Sequence, residues 1–179
     1  MGALGSALFL ITQIPIAQGI ALDFSLIAVF IVGIYAGPRA GFITGLLAGL
    51  IPGIVFGPLS PVGSILTVVA LPIGKGLTGL TIGLLAPRFN LKNNNLLGIP
   101  LTLISYIPEG LFTCAYFAAF LPLFTGSPIG ASAMLGGIMT KAIGEVVVMS
   151  LIVAVLIGNK AVNNFAENHF GKMQQIIKP

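Results

Sequence analysis

The sequence is poor in the residues that keep a protein soluble in water. Only 7% of its 179 residues are charged, whereas 56% are hydrophobic. A soluble domain needs roughly 25% charged residues to cover its surface. The apolar stretches must therefore face lipid, and we predict an integral membrane protein. Because these stretches are continuous and do not alternate with polar residues, we expect helices and not a β-barrel.

Residues that build other kinds of site are also scarce. The single cysteine, Cys114, excludes a disulfide framework and a thiolate metal site, and the only histidine, His169, lies in the polar C-terminal segment. We therefore expect no metal and no cofactor. The net charge is +4, but the basic residues form no patch with interleaved aromatics, so no nucleic-acid partner is expected. A membrane enzyme would need a nucleophile–base pair, and no catalytic residue is predicted because Cys114 has no histidine partner.

The apolar runs predict an all-α bundle of six transmembrane helices. A helix needs about 20 apolar residues to cross the hydrocarbon layer, and breaks rich in Pro, Gly and polar residues separate the runs. The predicted spans are 2–17, 21–37, 40–57, 62–86, 96–124 and 132–157. Residues 1–158 would then form the membrane domain. Residues 159–179 would be a polar cytoplasmic tail.

The distribution of Lys and Arg predicts the orientation of these spans. Six of the eight basic residues fall on one side: Arg39, Arg88, Lys92, Lys160, Lys172 and Lys178. The three loops on the opposite side carry no Lys or Arg. Since cytoplasmic loops are enriched in basic residues, both termini are expected in the cytoplasm.

Four charged residues remain inside the predicted spans: Lys75, Glu109, Lys141 and Glu145. With a rise of about 1.5 Å per residue, all four lie within reach of the middle of the bilayer. A lone charge at that depth costs at least about 2.5–3.5 kcal/mol. Such residues are commonly functional, so we expect them to line a cavity that binds a polar substrate. The alternative is a structural role, in which Lys141 and Glu145 simply pair across one helical turn.

One face of the fifth predicted span carries Tyr106, Glu109, Thr113 and Tyr116 at helical spacing. Phenols beside a carboxylate suit a cavity for a planar, hydrogen-bonding molecule, and all four are predicted substrate-binding residues together with Lys75, Lys141 and Glu145. The tyrosines could equally be satisfied by neighbouring helices. Asp23 is either a residue of a lid over the cavity or a helix cap.

Small residues recur at helical spacing on several spans. Ala3 and Ala7 form a small-xxx-small pair on the first span, and Gly41, Gly45 and Gly49 repeat on the third. Small residues let helix backbones approach closely in lipid. Most of these positions are expected to pack the protein's own helices, whereas the pair on the first span could contact a partner protein.

The order of these features resembles the S components, the substrate-binding subunits of energy-coupling factor (ECF) transporters. The resemblance lies in three stretches: residues 22–26, residues 35–49 with the turn Gly37-Pro38-Arg39-Ala40-Gly41, and residues 71–85 with Pro72-Ile73-Gly74-Lys75. It covers roughly residues 3–160. Six spans and cytoplasmic termini agree with that family. The resemblance implies a multi-pass protein of the cell membrane of a prokaryote, that is, of its inner or plasma membrane.

The resemblance implies capture of a vitamin or related micronutrient from the outer side of the membrane. It also implies docking on a membrane-embedded coupling subunit driven by two ATPases, with Ala3 and Ala7 matching the family's Ala-x-x-x-Ala docking motif. ATP hydrolysis would belong to the partners, since the chain has no G-x-x-x-x-G-K-[ST] motif. The absence of Trp argues against the thiamin-binding branch, and the absence of an N-terminal His argues against nickel or cobalt. Two buried lysines would suit a carboxylate-bearing ligand, although the two glutamates weaken that preference.

Three other functions remain open from the sequence. A small accessory subunit of a larger membrane complex would have its four charges paired internally, with no cavity. A membrane enzyme lacks the expected residues. An independent secondary transporter would show two recognisable repeats, which are not evident between residues 1–86 and 96–157.

Overall fold

The computed structural model describes residues 1–12, 15–17, 20–21, 23–59, 64–89, 91, 94–125 and 128–177. Its longer helices are α1 (Gly2–Thr12), α2 (Leu26–Ala36), α3 (Pro38–Phe56), α4 (Thr67–Leu85), α5 (Gly98–Ala115), α6 (Leu121–Thr125), α7 (Pro128–Gly158) and α8 (Lys160–Ile177). Two 3-10 turns (Ala86–Arg88 and Asn95–Leu97) and a π-helical turn (Tyr116–Phe120) extend them. Two short antiparallel strands, β1 (Pro15–Ala17) and β2 (Ile20–Ala21), lie between α1 and α2. The predicted helical fold class is confirmed.

Within the described residues, four helices are long and apolar enough to cross a membrane. They are Pro38–Phe56, Thr67–Arg88, Asn95–Leu123 and Leu135–Gly158, with mean hydropathies of 1.7, 1.6, 1.3 and 2.1. The length and composition of these helices are those of a membrane protein. The first two predicted spans correspond instead to the shorter apolar helices α1 and α2, of 11 residues each. A helix of that length rises only about 16 Å.

Parts of the predicted breaks lie outside the described residues, namely positions 13–14, 18–19, 22, 60–63, 90, 92–93 and 126–127, as does Lys178. The break at Gly37-Pro38-Arg39 is confirmed. Gly37 adopts φ +87°, a left-handed conformation that favours glycine, and its N–H donates to the carbonyl of Gly33. Pro38 then begins α3, where the N–H that it lacks is not needed.

The two faces of α3 differ in side-chain size. Its exposed face carries Ile43, Leu47, Leu50 and Ile54. Its buried face carries Gly41, Gly45 and Gly49, which meet the backbone of α4; a Cβ built at Gly49 would lie 2.5 Å from the Cα of Pro72. The glycines therefore pack α3 directly on α4, as their spacing predicts, and the exposed aliphatic face suits contact with lipid.

The fifth predicted span is one continuous helical path. It runs through α5, the π-helical turn Tyr116–Phe120 and α6, so its end at residue 124 agrees with the structure to within one residue. π-helical turns inside α-helices are rare and often lie at functional sites. The turn begins at Tyr116, one of the predicted substrate-binding residues.

The predicted polar tail is a helix that packs on the rest of the protein. Ala166 and Phe170 of α8 are buried in a cluster with Val32 of α2. The hydroxyl of Tyr35 also forms a hydrogen bond with the side-chain oxygen of Asn163. The tail is thus ordered against α2, whereas its location in the cytoplasm stays a prediction.

Candidate functional site

Lys75 of α4 forms an ion pair with Asp23, which lies just before α2. Lys75 Nζ is 2.5 Å from Asp23 Oδ2, and the exposed fractions of the two side chains are 3% and 13%. Lys75 also donates a hydrogen bond to the Ser25 hydroxyl. The ammonium group is therefore neutralised and hydrogen-bonded inside the bundle, as a buried charge must be.

Asp23 itself is held by further hydrogen bonds. Its Oδ1 accepts a hydrogen bond from the backbone N–H of Ser25 at 2.9 Å, which caps the entry into α2. Both carboxylate oxygens of Asp23 therefore have a partner, Oδ2 the Lys75 ammonium and Oδ1 the Ser25 N–H.

Glu145 of α7 joins this arrangement through the Asp23 backbone. The N–H of Asp23 donates to Glu145 Oε1 at 2.6 Å. Glu145 also pairs with Lys141, whose Nζ lies 3.5 Å from the same oxygen and 5.3 Å from the centre of the Phe56 ring. Lys141 therefore has a carboxylate on one side and an aromatic face on the other, both favourable contacts for a cation.

Glu109 of α5 contacts α4 close to Lys75. Its Oε2 accepts a hydrogen bond of 2.5 Å from the hydroxyl of Thr78, which lies one turn after Lys75 on α4. Glu109 is only 6% exposed. Gly74 lies directly beside it, since a Cβ built there would be 3.3 Å from Glu109 Cγ. The backbone of Gly74 therefore packs closely against the Glu109 side chain, and a larger residue there would crowd it.

These residues form one polar cluster, which we call the buried charge network. Its members are Asp23, Ser25, Lys75, Thr78, Glu109, Lys141 and Glu145. They come from the segment just before α2, which carries Asp23 and Ser25, and from α4, α5 and α7. Three of the four acidic residues of the whole chain belong to it. Charged side chains are thus concentrated at one place in an otherwise apolar bundle.

The other predicted substrate-binding residues lie along α5 but contact the network less. Tyr106 is half-buried against an apolar cluster that includes Leu101 of α5 and Met149 of α7. Thr113 is also half-buried, and no described interaction joins it to the network. Tyr116 is buried, and its hydroxyl lies 2.8 Å from the Thr67 hydroxyl of α4. Glu109 and Tyr116 therefore both face α4, as their spacing predicts, but they bind different partners on it.

The predicted docking pair lies on the outward side of α1. Gly5, Ser6 and Phe9 are buried, with the Ser6 hydroxyl donating to the Leu47 carbonyl of α3, whereas Ala3 is exposed and Ala7 is half-buried. Helix α1 thus uses one side to pack on α3 and leaves the other side uncovered.

Two members of the network, Ser25 and Thr78, were missed from the sequence, and a third, Asp23, was considered only as a lid residue or a helix cap. A signal was present for each. Lys75 needs a carboxylate and the chain has only four, so Asp23 was a strong candidate. Ser25 follows Asp23 at the spacing of a local cap, and Thr78 lies at i+3 from Lys75 on the same helical face.

Two other features are less suited to binding a polar molecule. Among the described residues, no group of three His, Cys, Asp or Glu side chains is placed to hold a metal ion. An open groove of about 250 Å³ on α7 is lined by Leu151, Ile152, Val155 and Leu156. Its apolar lining offers no group to orient a polar ligand.

The chain matches no protein-family model, no curated protein and no solved structure. Inferences about function therefore depend on the geometry of this site and on the sequence patterns.

Proposed function

We propose that the chain is the substrate-binding subunit of an ECF-type importer of a vitamin or other micronutrient. It would span the cell membrane six times with both termini in the cytoplasm. It would capture a small polar or amphipathic molecule from the outer side and dock on a coupling subunit and two ATPases, which would hydrolyse ATP.

The observation that carries this proposal is the buried charge network. Asp23, Lys75, Glu109, Lys141 and Glu145 converge from four separate segments of a chain in which only 7% of the residues are charged. Burying five ionisable groups in an apolar bundle is expensive, and in membrane proteins such groups generally mark substrate or ion pathways. A role in binding a solute accounts for this cost.

Two further observations support the same function. The outward side of α1 carries Ala3 and Ala7, which are placed for a helix of a partner to approach closely. The glycine-rich contact of α3 with α4 makes these two helices a firm support for Lys75 and Thr78. A binding subunit needs both a supported site and a docking face.

An accessory subunit without its own ligand is the second candidate, and one observation favours it. Both lysines of the network already have carboxylate partners, Asp23 and Glu145, as that function predicts. A ligand-binding subunit would have to exchange some of these contacts for contacts with its substrate.

Mild purification followed by mass spectrometry of bound small molecules and proteins distinguishes the importer subunit from the accessory subunit. The importer proposal predicts a compound that is retained by the wild type and lost in Glu109→Ala and Lys141→Ala, with an ATPase pair among the associated proteins. Retention of the compound in both variants at the wild-type level would refute the proposed site. Association with a redox or assembly complex, with no bound compound, would favour the accessory subunit.

A further inference from the structure

The ionised groups of the buried charge network do not balance. It contains the carboxylates of Asp23, Glu109 and Glu145 but only the ammonium groups of Lys75 and Lys141. If all five are ionised, the network carries one excess negative charge. Because net charge is costly inside an apolar bundle, that excess requires a positive partner or a proton.

The geometry assigns the excess to Glu109. Asp23 lies 2.5 Å from the Lys75 ammonium, and Glu145 lies 3.5 Å from that of Lys141. Among the described ion pairs, none includes Glu109, whose carboxylate accepts only the Thr78 hydroxyl at 2.5 Å. A single neutral donor compensates a buried carboxylate far less than an ammonium does.

The surroundings of Glu109 suit a cation. Gly74 presents no side chain toward it; a Cβ built at Gly74 would lie 3.8 Å from Glu109 Cδ and 3.7 Å from a ring carbon of Phe112. The Cβ would also lie only 3.3 Å from Glu109 Cγ, so a group enters here once the Glu109 side chain shifts by a few tenths of an ångström, and it would then touch both a carboxylate and an aromatic ring. Both attract positive charge, and they do so most strongly where water is excluded.

We infer that Glu109 is the recognition point for a positively charged group of the substrate, of the ammonium type. This inference rests on the proposed function and specifies the class of its ligand. It reverses the expectation of a carboxylate-bearing ligand, since both lysines that would bind one are already paired with carboxylates. In the unloaded protein a proton would balance the excess charge, and the arriving cation would replace it.

Three probes of matched size and different charge test this inference: propylammonium, propionamide and propionate. The purified chain is titrated with each while its thermal unfolding is followed by circular dichroism. Propylammonium is expected to raise the unfolding midpoint saturably. It should also protect Glu109 from labelling by dicyclohexylcarbodiimide, read by mass spectrometry of the peptide, whereas propionate should do neither.

Variants then assign the effect to Glu109. In Glu109→Gln the apparent Kd for propylammonium should rise at least tenfold, and Gly74→Ala should raise it by narrowing the approach. Glu167→Gln on α8 is the matched control, because Glu167 is the one acidic residue of the sequence that is not among the described members of the network, and this variant should bind as the wild type does.

The inference is overturned if propionate matches propylammonium, if propylammonium neither stabilises nor protects the protein, or if Glu109→Gln binds it unchanged. These failures are distinct from failure of the importer proposal, which depends on the co-purifying compound and proteins. A retained compound that is anionic would leave the importer proposal standing and refute the cation. Binding of propylammonium without any retained compound or ATPase would support the cation site and refute the importer proposal.

Discussion

The backbone N–H of Asp23 donates a 2.6 Å hydrogen bond to Glu145 Oε1, which joins the start of the chain to α7 across 122 residues. The carboxylate of the same Asp23 pairs with Lys75 of α4. One residue at the entrance to α2 thus connects two helices of the bundle. Asp23 is therefore the structural centre of the network. If a ligand replaced its contacts with Lys75 or Glu145, the position of α2 relative to α4 and α7 would change.

Removing the carboxylate of Asp23 should destabilise the fold strongly. Asp23→Ala leaves the Lys75 ammonium buried without its counter-ion, which costs about 3–5 kcal/mol for a buried pair. The double variant Asp23→Leu with Lys75→Met removes both charges and should recover most of that loss. Thermal unfolding in detergent measures both. A double variant that is no more stable than Asp23→Ala would contradict the pairing.

Two substitutions of Glu145 separate its two contacts. Glu145→Gln keeps an oxygen that can accept the Asp23 N–H and loses the ion pair with Lys141, whose side chains are 8% and 19% exposed, so its loss costs more than the ~0–1 kcal/mol of an exposed pair. Glu145→Ala also removes the acceptor and leaves the Asp23 N–H unsatisfied, at about 1–3 kcal/mol. Unfolding midpoints should therefore fall in the order wild type, Gln, Ala. Equal losses in the two variants would show that the hydrogen bond contributes nothing.

A single methyl group between α3 and α4 should disturb the bundle. A Cβ at Gly45 would overlap the backbone carbonyl of Lys75, so Gly45→Ala forces the helices apart. Such overpacking typically costs about 1–3 kcal/mol. Gly137→Ala is the control, since a Cβ at Gly137 meets nothing within 4 Å; it should be neutral or stabilising. A harmless Gly45→Ala would disprove the close α3–α4 contact.

Bulky residues on the outward side of α1 should block docking without unfolding the protein. Ala3→Phe and Ala7→Phe are expected to reduce the co-purifying coupling subunit and ATPases at least several-fold, because a large side chain keeps a partner helix at a distance. Leu111→Phe alters another exposed apolar position, on α5, and serves as the control. Undiminished association in both α1 variants would remove Ala3 and Ala7 from the docking surface.

The six-span orientation can be tested by labelling single cysteines in a Cys114→Ala background. The proposal places Leu59, after α3, outside the cell and Asn94, before α5, in the cytoplasm. A membrane-impermeant maleimide should label Leu59→Cys in intact cells and Asn94→Cys only after permeabilisation. The cysteine-free parent controls for background. The reverse pattern would invert the topology, and equal labelling of both sites would place them on one side.

The long helices could be predicted from the sequence because each carries an extended apolar run between strong breaks. The short strands at Pro15–Ala17 and Ile20–Ala21 could not, since so few residues establish no periodicity and the first of them continues the apolar run of α1. Helix α8 was interpreted as a polar tail. Ala166 and Phe170, at i and i+4, were the signal of its buried face.

Four of the five charged members of the network, Lys75, Glu109, Lys141 and Glu145, could also be predicted, because ionisable residues are conspicuous in an apolar chain. Their pairing could not. Which carboxylate neutralises Lys75 depends on how α2 approaches α4. That approach is fixed by contacts such as that of Gly33 with Ile82 and Gly79 of α4, and not by the charges themselves. The pairing of Lys141 with Glu145 was recognised as an alternative, and the structure contains that pair.

The most direct test of the binding proposal is a structure of the protein purified with its retained compound in a lipid nanodisc, determined by cryo-electron microscopy. The account predicts density for the compound against the Glu109 carboxylate and Gly74, with a positively charged group toward Glu109. A bundle in which Asp23, Lys75, Lys141 and Glu145 keep all their mutual contacts, and in which the compound lies away from Glu109, would contradict it.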